Sequence, residues 1–176
     1  MTIDPAVSWI LALSLGLLLG SAGVHKLLDV GGFRSIVAGY RLVPPALEGP
    51  AALGVIAAEL LAAVLVSVPA TRSRGAALAA VVLVIYAAAL ALNLRRGRNR
   101  IDCGCLGFGQ ADRIAWWMVA RNLGLTALAL LAAFPVSSRA LVALDGLTIG
   151  GSVTLGAILY LTAARLATVR MAGASA

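Results

Sequence analysis

Gly75 to Leu94 reads GAALAAVVLVIYAAALALNL, twenty residues without one charge. At about 1.5 Å of rise per residue such a helix is ~30 Å long, the thickness of a bilayer's hydrocarbon core. Four more apolar runs flank it. Val7 to Leu28 carries no charge until His25 and Lys26, and Ala51 to Val68 is interrupted only by Glu59. Ile114 to Phe134 holds Arg121 alone, and Leu147 to Ala164 holds no charge. A membrane β-barrel would alternate in segments of about 10 residues, which these runs do not do. The pattern predicts an all-α, polytopic membrane helical bundle, with a four-helix core plus a fifth transmembrane helix. Residues 1–176 read as one integral membrane domain, with spans near 7–28, 51–68, 75–94, 114–134 and 147–164.

Composition agrees. Of 176 residues, 61% are hydrophobic and 12% charged, against about 45–50% and 25% in soluble domains. A net charge of +7 would point to nucleic acid in a soluble chain. Here the basic residues sit mostly between apolar runs and no aromatic residues interleave with them, so a nucleic-acid partner is excluded. The first six residues contain Asp4 and no Lys or Arg, which predicts that the first span is retained rather than cleaved as a signal.

The connections differ in kind. Asp29 to Gly49 is a long first loop, with a short interfacial helix expected over Phe33 to Tyr40 and a stop at Pro44-Pro45. Pro69 to Arg74 is a tight turn, and Pro135 to Asp145 leads to the fifth span. Gly16, Gly20 and Gly23 recur on one face of the first span, a packing surface inside the bundle. With five spans, the first loop, the Arg95–Arg113 loop and the C-terminus share one side, which holds ten Lys and Arg against three on the other. The positive-inside rule turns that richer side toward the cytoplasm.

The chemistry concentrates in Asp102-Cys103-Gly104-Cys105. A disulfide between residues i and i+2 requires the chain to bend between them, and Gly104 has no Cβ to oppose the bend. Strained, exposed disulfides are typically the labile or catalytic ones. The upstream arginines favour the thiolate, which is the reactive form. The same pair could hold a two-coordinate soft metal ion, although a closed zinc site with four ligands is beyond two thiols and one histidine. Inside the spans, Glu59 and Arg121 are functional candidates by default. Their depths, counted from the loops, predict an ion pair below the cysteine loop. His25 and Asn93 end their spans at the same membrane face, so a polar pocket formed by His25, Glu59, Asn93 and Arg121 is expected to open toward the cysteines. Lys26 is expected to snorkel to the interface.

Gly23-Val24-His25-Lys26-Leu27, the Glu59 span, Asn93-Leu94-Arg95-Arg96-Gly97-Arg98, Ile101-Asp102-Cys103-Gly104-Cys105-Leu106-Gly107 and Arg121-Asn122 together resemble the MauE family of the DoxX-like membrane proteins, over roughly residues 10 to 130. The resemblance implies an accessory to thiol–disulfide exchange, associated with maturation of the disulfide-rich small subunit of methylamine dehydrogenase beside a thioredoxin-like partner. It also implies a likeness to the DsbB and vitamin K epoxide reductase bundles, with Cys103 and Cys105 as the redox pair and a quinone as candidate cofactor. Those enzymes use two cysteine pairs and this chain has one, so a relay within the chain is excluded. The family likeness implies an extracytoplasmic cysteine loop, opposite to the charge count.

Overall fold

The computed structural model describes residues 2–99 and 114–173. Within these residues six α-helices follow one another: α1 Pro5–Leu28, α2 Val30–Tyr40, α3 Glu48–Ser67, α4 Arg72–Arg95, α5 Trp116–Ala132 and α6 Ala143–Gly173. Among the described residues the other regular pieces are two short 3-10 turns, at Pro45–Leu47 and Pro69–Thr71, and a bridge between Ile3 and Val136. Stretches Pro5–Leu28, Pro45–Ser67, Pro69–Arg95 and Ala143–Ala163 are each long and apolar enough to cross a membrane, and α5 is a shorter apolar helix. The chain is a multi-pass membrane protein.

α1, α3, α4 and α5 form the core, with α1 on α3, α3 on α4 and α4 on α5. Their shared interior is rich in alanine, including Ala12, Ala62, Ala76, Ala79 and Ala129, closed by Leu15, Leu19, Val66 and Leu83. Water does not drive helices together inside lipid, so small residues that allow close van der Waals contact supply the cohesion. The glycine face of α1 turns onto α3 as expected. A Cβ on Gly20 would lie 3.6 Å from that of Ala63, and one on Gly23 would lie 3.4 Å from the Glu59 Cβ and 2.8 Å from Leu60.

α6 packs on α1 at the rim of the core. Its start is tied to the N-terminus. Arg139 donates to Asp4 at 2.9 and 3.0 Å and to Asp145 at 2.8 and 3.0 Å, while Asp4 also caps α1 by accepting from the Ala6 N–H. The Arg139 guanidinium beside Asp4 holds that carboxyl below its ordinary range.

At the other end of the bundle, α2 lies across the start of α3, with Phe33 packed on Ala52 and Ile56. α4 stops there in a Schellman motif. The Gly97 N–H bonds to the Leu94 carbonyl, the Arg98 N–H to that of Asn93, and Gly97 takes a φ of +70° that suits glycine. Arg98 also reaches the Gly39 carbonyl of α2 at 3.4 Å.

Candidate functional site

Cys103 and Cys105 lie outside the described residues, as do Arg100, Asp102, Gly104 and Arg113. What is described is where their segment leaves and rejoins the bundle. The Ile114 N–H donates to the Asn99 carbonyl at 3.1 Å, so both ends of the cysteine segment are held together. They meet at the end where α1 and α4 finish and α5 begins. Ile114 is buried against Ala87, Leu90 and Met118.

Beneath that end lies a buried acid–base cluster. Glu59 is 0% exposed and Lys26 2%. The Lys26 ammonium donates to Glu59 Oε1 at 2.6 Å and to the Tyr86 hydroxyl at 3.2 Å, and that hydroxyl in turn donates to the same Oε1. The ammonium also sits 5.2 Å from the ring centres of both Phe33 and Tyr86, where the negative ring faces attract it. Removing two charges from water costs several kcal/mol each unless they pair and hydrogen-bond, and here they do both.

Two expectations change. Lys26 does not snorkel: it continues the buried stripe Ala12, Leu15, Leu19 and Gly23 along α1 and points inward. The close ion pair of Glu59 is with Lys26 rather than Arg121. α3 extends beyond α1 to meet α2, so Glu59 sits shallower against α1 than a count from its own loop gives. Glu59 is level with Gly23, five residues or ~7–8 Å below the end of α1. Arg121 instead stacks near the rings of Trp117 and Tyr160, at 5.3 and 5.9 Å.

Glu59 and Arg121 nevertheless share one cavity. It has a volume of about 390 Å³, runs between α1, α5 and α6, and is lined at its polar end by Lys26, Glu59, Tyr86, Arg121 and Asn122. The rest of its wall is largely leucine. Of the other expected pocket residues, His25 is on the exposed side of α1. Asn93 is fully buried within α4, its amide donating to the Ala89 carbonyl at 3.1 Å. Both stand at the expected end of the bundle, and neither lines the cavity.

Tyr86 and Asn122 are members of the site that sequence reasoning missed. Tyr86 had a signal, because a phenol inside an otherwise aliphatic span needs a hydrogen-bond partner when buried. Arg72, within the Pro69–Arg74 turn expected from the sequence, opens α4 and is buried, donating to Ser8 Oγ at 2.7 Å with its guanidinium 4.3 Å from the Trp9 ring. Among the described residues no three His, Cys, Asp or Glu side chains gather as a metal site.

Fold and site define a polytopic membrane protein with a buried lysine–glutamate–tyrosine cluster, placed at the end of the bundle from which a Cys-Gly-Cys segment emerges. The chain belongs to the MauE family. The family model described as "Methylamine utilisation protein MauE" matches residues 4–135. Curated relatives named "Methylamine utilization protein MauE" include one from Paracoccus denitrificans, 41% identical over 73% of this chain and 69% of its own length. Another, from Methylophilus methylotrophus, is 33% identical over 93% of this chain and 87% of its own. No solved structure matches the chain.

Proposed function

We propose that this protein is a membrane accessory of methylamine utilisation that supports thiol–disulfide exchange through Cys103 and Cys105. The observation that supports this reading most is the convergence at one end of the bundle. Asn99 and Ile114, which flank the segment bearing the pair, are hydrogen-bonded to each other there, at the same end as the Lys26–Glu59–Tyr86 cluster and the polar end of the cavity.

In the exchange, the two thiols give up two electrons and two protons as the S–S bond forms. The disulfide of a thioredoxin-like partner takes up both and becomes a dithiol, and the reverse reaction re-reduces the pair. A bound quinone would supply a two-electron, two-proton acceptor for the same couple. The cavity suits such a molecule, since its polar end offers both hydrogen-bond donors and acceptors and its wall is apolar. Lys26, Tyr86 and Asn122 would orient the head, and the buried charge pair would hold the polar end in place.

Oxidation is expected to convert Cys103 and Cys105 to an intramolecular disulfide reversibly. Thiol trapping followed by mass spectrometry should show a two-hydrogen difference between the forms. A Cys→Ser change at either position should abolish exchange with a thioredoxin-like protein, and the single variant that traps a mixed disulfide identifies its remaining thiol as the attacking one. Two thiols that stay free under strong oxidant would defeat the redox reading.

Orientation follows from charge. Setting aside Lys26 and Arg72, which are buried, nine basic residues remain on the cysteine side against two opposite, and the positive-inside rule directs the pair to the cytoplasm. A membrane-impermeant maleimide should then leave Cys105 unlabelled in intact cells and label it after lysis. Strong labelling of intact cells would reverse the assignment.

A further inference from the structure

We infer that the cavity between α1, α5 and α6 binds a single-tailed amphiphile whose uncharged head carries a hydroxyl group. The inference takes the quinol of the proposed exchange as one member of a broader ligand class, and in that respect it rests on the reading above. Its support is the gradient along the cavity. On α1 the lining runs from Leu11 to Lys26, fifteen residues or ~22 Å. α5 enters from the cysteine end, so Asn122 lies nearer that end and Leu125 and Leu128 lie deeper. α6 runs the other way, with Val153 deep and Tyr160 nearer the cysteine end. On α5 and α6 the lining changes from polar to apolar in one direction, and α1 sets Lys26 at the same polar end above a mostly leucine wall that includes Ser21 and Ser14, which fits a head and a tail rather than a compact polar solute.

The head chemistry comes from two buried atoms. Glu59 and Asn122 both line the cavity, and they are 0% and 2% exposed. Among the described residues, Glu59 Oε2 accepts no hydrogen bond and Asn122 Nδ2 donates none. A buried carboxylate oxygen and a buried amide left unsatisfied are each costly, the charged oxygen more so. One hydroxyl group can donate to the first and accept from the second. Arg121 lines this end as well, so it is the need for a donor at Glu59 Oε2 that selects the head: an ionised carboxylate or phosphate group accepts hydrogen bonds and donates none. The lateral wall is formed by α6, whose Gly156 faces the cavity and would meet nothing within 4 Å if it gained a Cβ. That position can be enlarged without disturbing the core.

The test is native mass spectrometry of the protein in nanodiscs loaded with four probes: monooleoylglycerol, a prenylated benzoquinol, oleate and dioleoylphosphatidylglycerol. The wild-type protein should retain one or both of the first two in preference to the last two. Retention of the quinol identifies an electron carrier as the occupant, whereas retention of monooleoylglycerol alone identifies a membrane lipid. The Gly156→Phe variant should melt like the wild type and retain at least about tenfold less probe, a change of 1.4 kcal/mol or more. Asn122→Leu should weaken retention of hydroxyl-bearing heads while leaving the tail slot open. Equal retention by wild type and Gly156→Phe would overturn the inference, as would a wild-type preference for oleate or the two-tailed phospholipid. The Cys103→Ser/Cys105→Ser variant separates the two proposals. It should bind the probes as the wild type does, so a failure of thiol exchange leaves the lipid site standing, and a failure of binding leaves the exchange chemistry standing.

Discussion

Replacing Lys26 by methionine is expected to destabilise the bundle by about 3–5 kcal/mol, the range for stranding one member of a buried ion pair. Methionine is similar to lysine in length and keeps much of the packing against Phe33 and Tyr86, so the loss isolates the charge. Among the described residues, Glu59 Oε1 would retain only the Tyr86 hydroxyl, and Oε2 already has no partner. The Lys26→Met/Glu59→Gln double variant should recover most of the stability, since removing both charges also removes the desolvation penalty that each carries alone. Unfolding in detergent, followed by circular dichroism, measures all three proteins. A Lys26→Met variant that unfolds like the wild type would show that the pair is stabilised by something other than its Coulomb attraction. A double variant as unstable as the single changes combined would show that the two residues do not act as a pair.

Gly75→Ala should be nearly as damaging for a purely steric reason. A Cβ at position 75 would lie 2.2 Å from the Val66 backbone nitrogen, 2.5 Å from the Leu65 carbonyl carbon and 2.7 Å from the Val66 Cα. These are backbone atoms, so no rotamer change clears them, and α4 must move off α3. The short connection resists that movement, because Thr71 Oγ1 donates to the Leu65 carbonyl at 2.9 Å and pins the turn onto the end of α3. Overpacking of this kind costs about 1–3 kcal/mol and more where the backbone has to shift, so a loss near 3 kcal/mol is expected. Gly124→Ala is the control. It sits in α5 with nothing within 4 Å of its added Cβ, and better helix propensity should make it neutral or more stable by roughly 0.5–1 kcal/mol. If both alanines have the same effect on the melting curve, close approach is not why glycine stands at 75.

The number and place of the apolar helices were determined by the sequence alone. Length, hydropathy and the lack of charge are properties of each segment by itself, and lipid imposes the helix because backbone groups find no other partners there. Hence Gly75 to Leu94 could be recognised without reference to any other part of the chain. The stop before the cysteine segment was similarly local, with Gly97 supplying the left-handed residue that ends α4. So was the packing role of Gly16, Gly20 and Gly23, whose spacing places them on one side of α1.

The partner of Glu59 was decided only by the tertiary structure. Counting residues from a loop gives depth, but it gives neither the direction a side chain faces nor how far one helix extends past the next. Because α3 extends beyond α1 to carry α2, Glu59 came level with Gly23, and Lys26, one turn above, became its counter-ion. The cavity also had no local signature. Its polar end joins residues from all four core helices and its apolar wall needs α6 standing against α1, so it exists only once the Arg139 clamp and the α1–α6 contact have set that spacing. A leucine facing lipid and a leucine facing a cavity are indistinguishable in one segment, since both are solvated by hydrocarbon or by nothing polar at all.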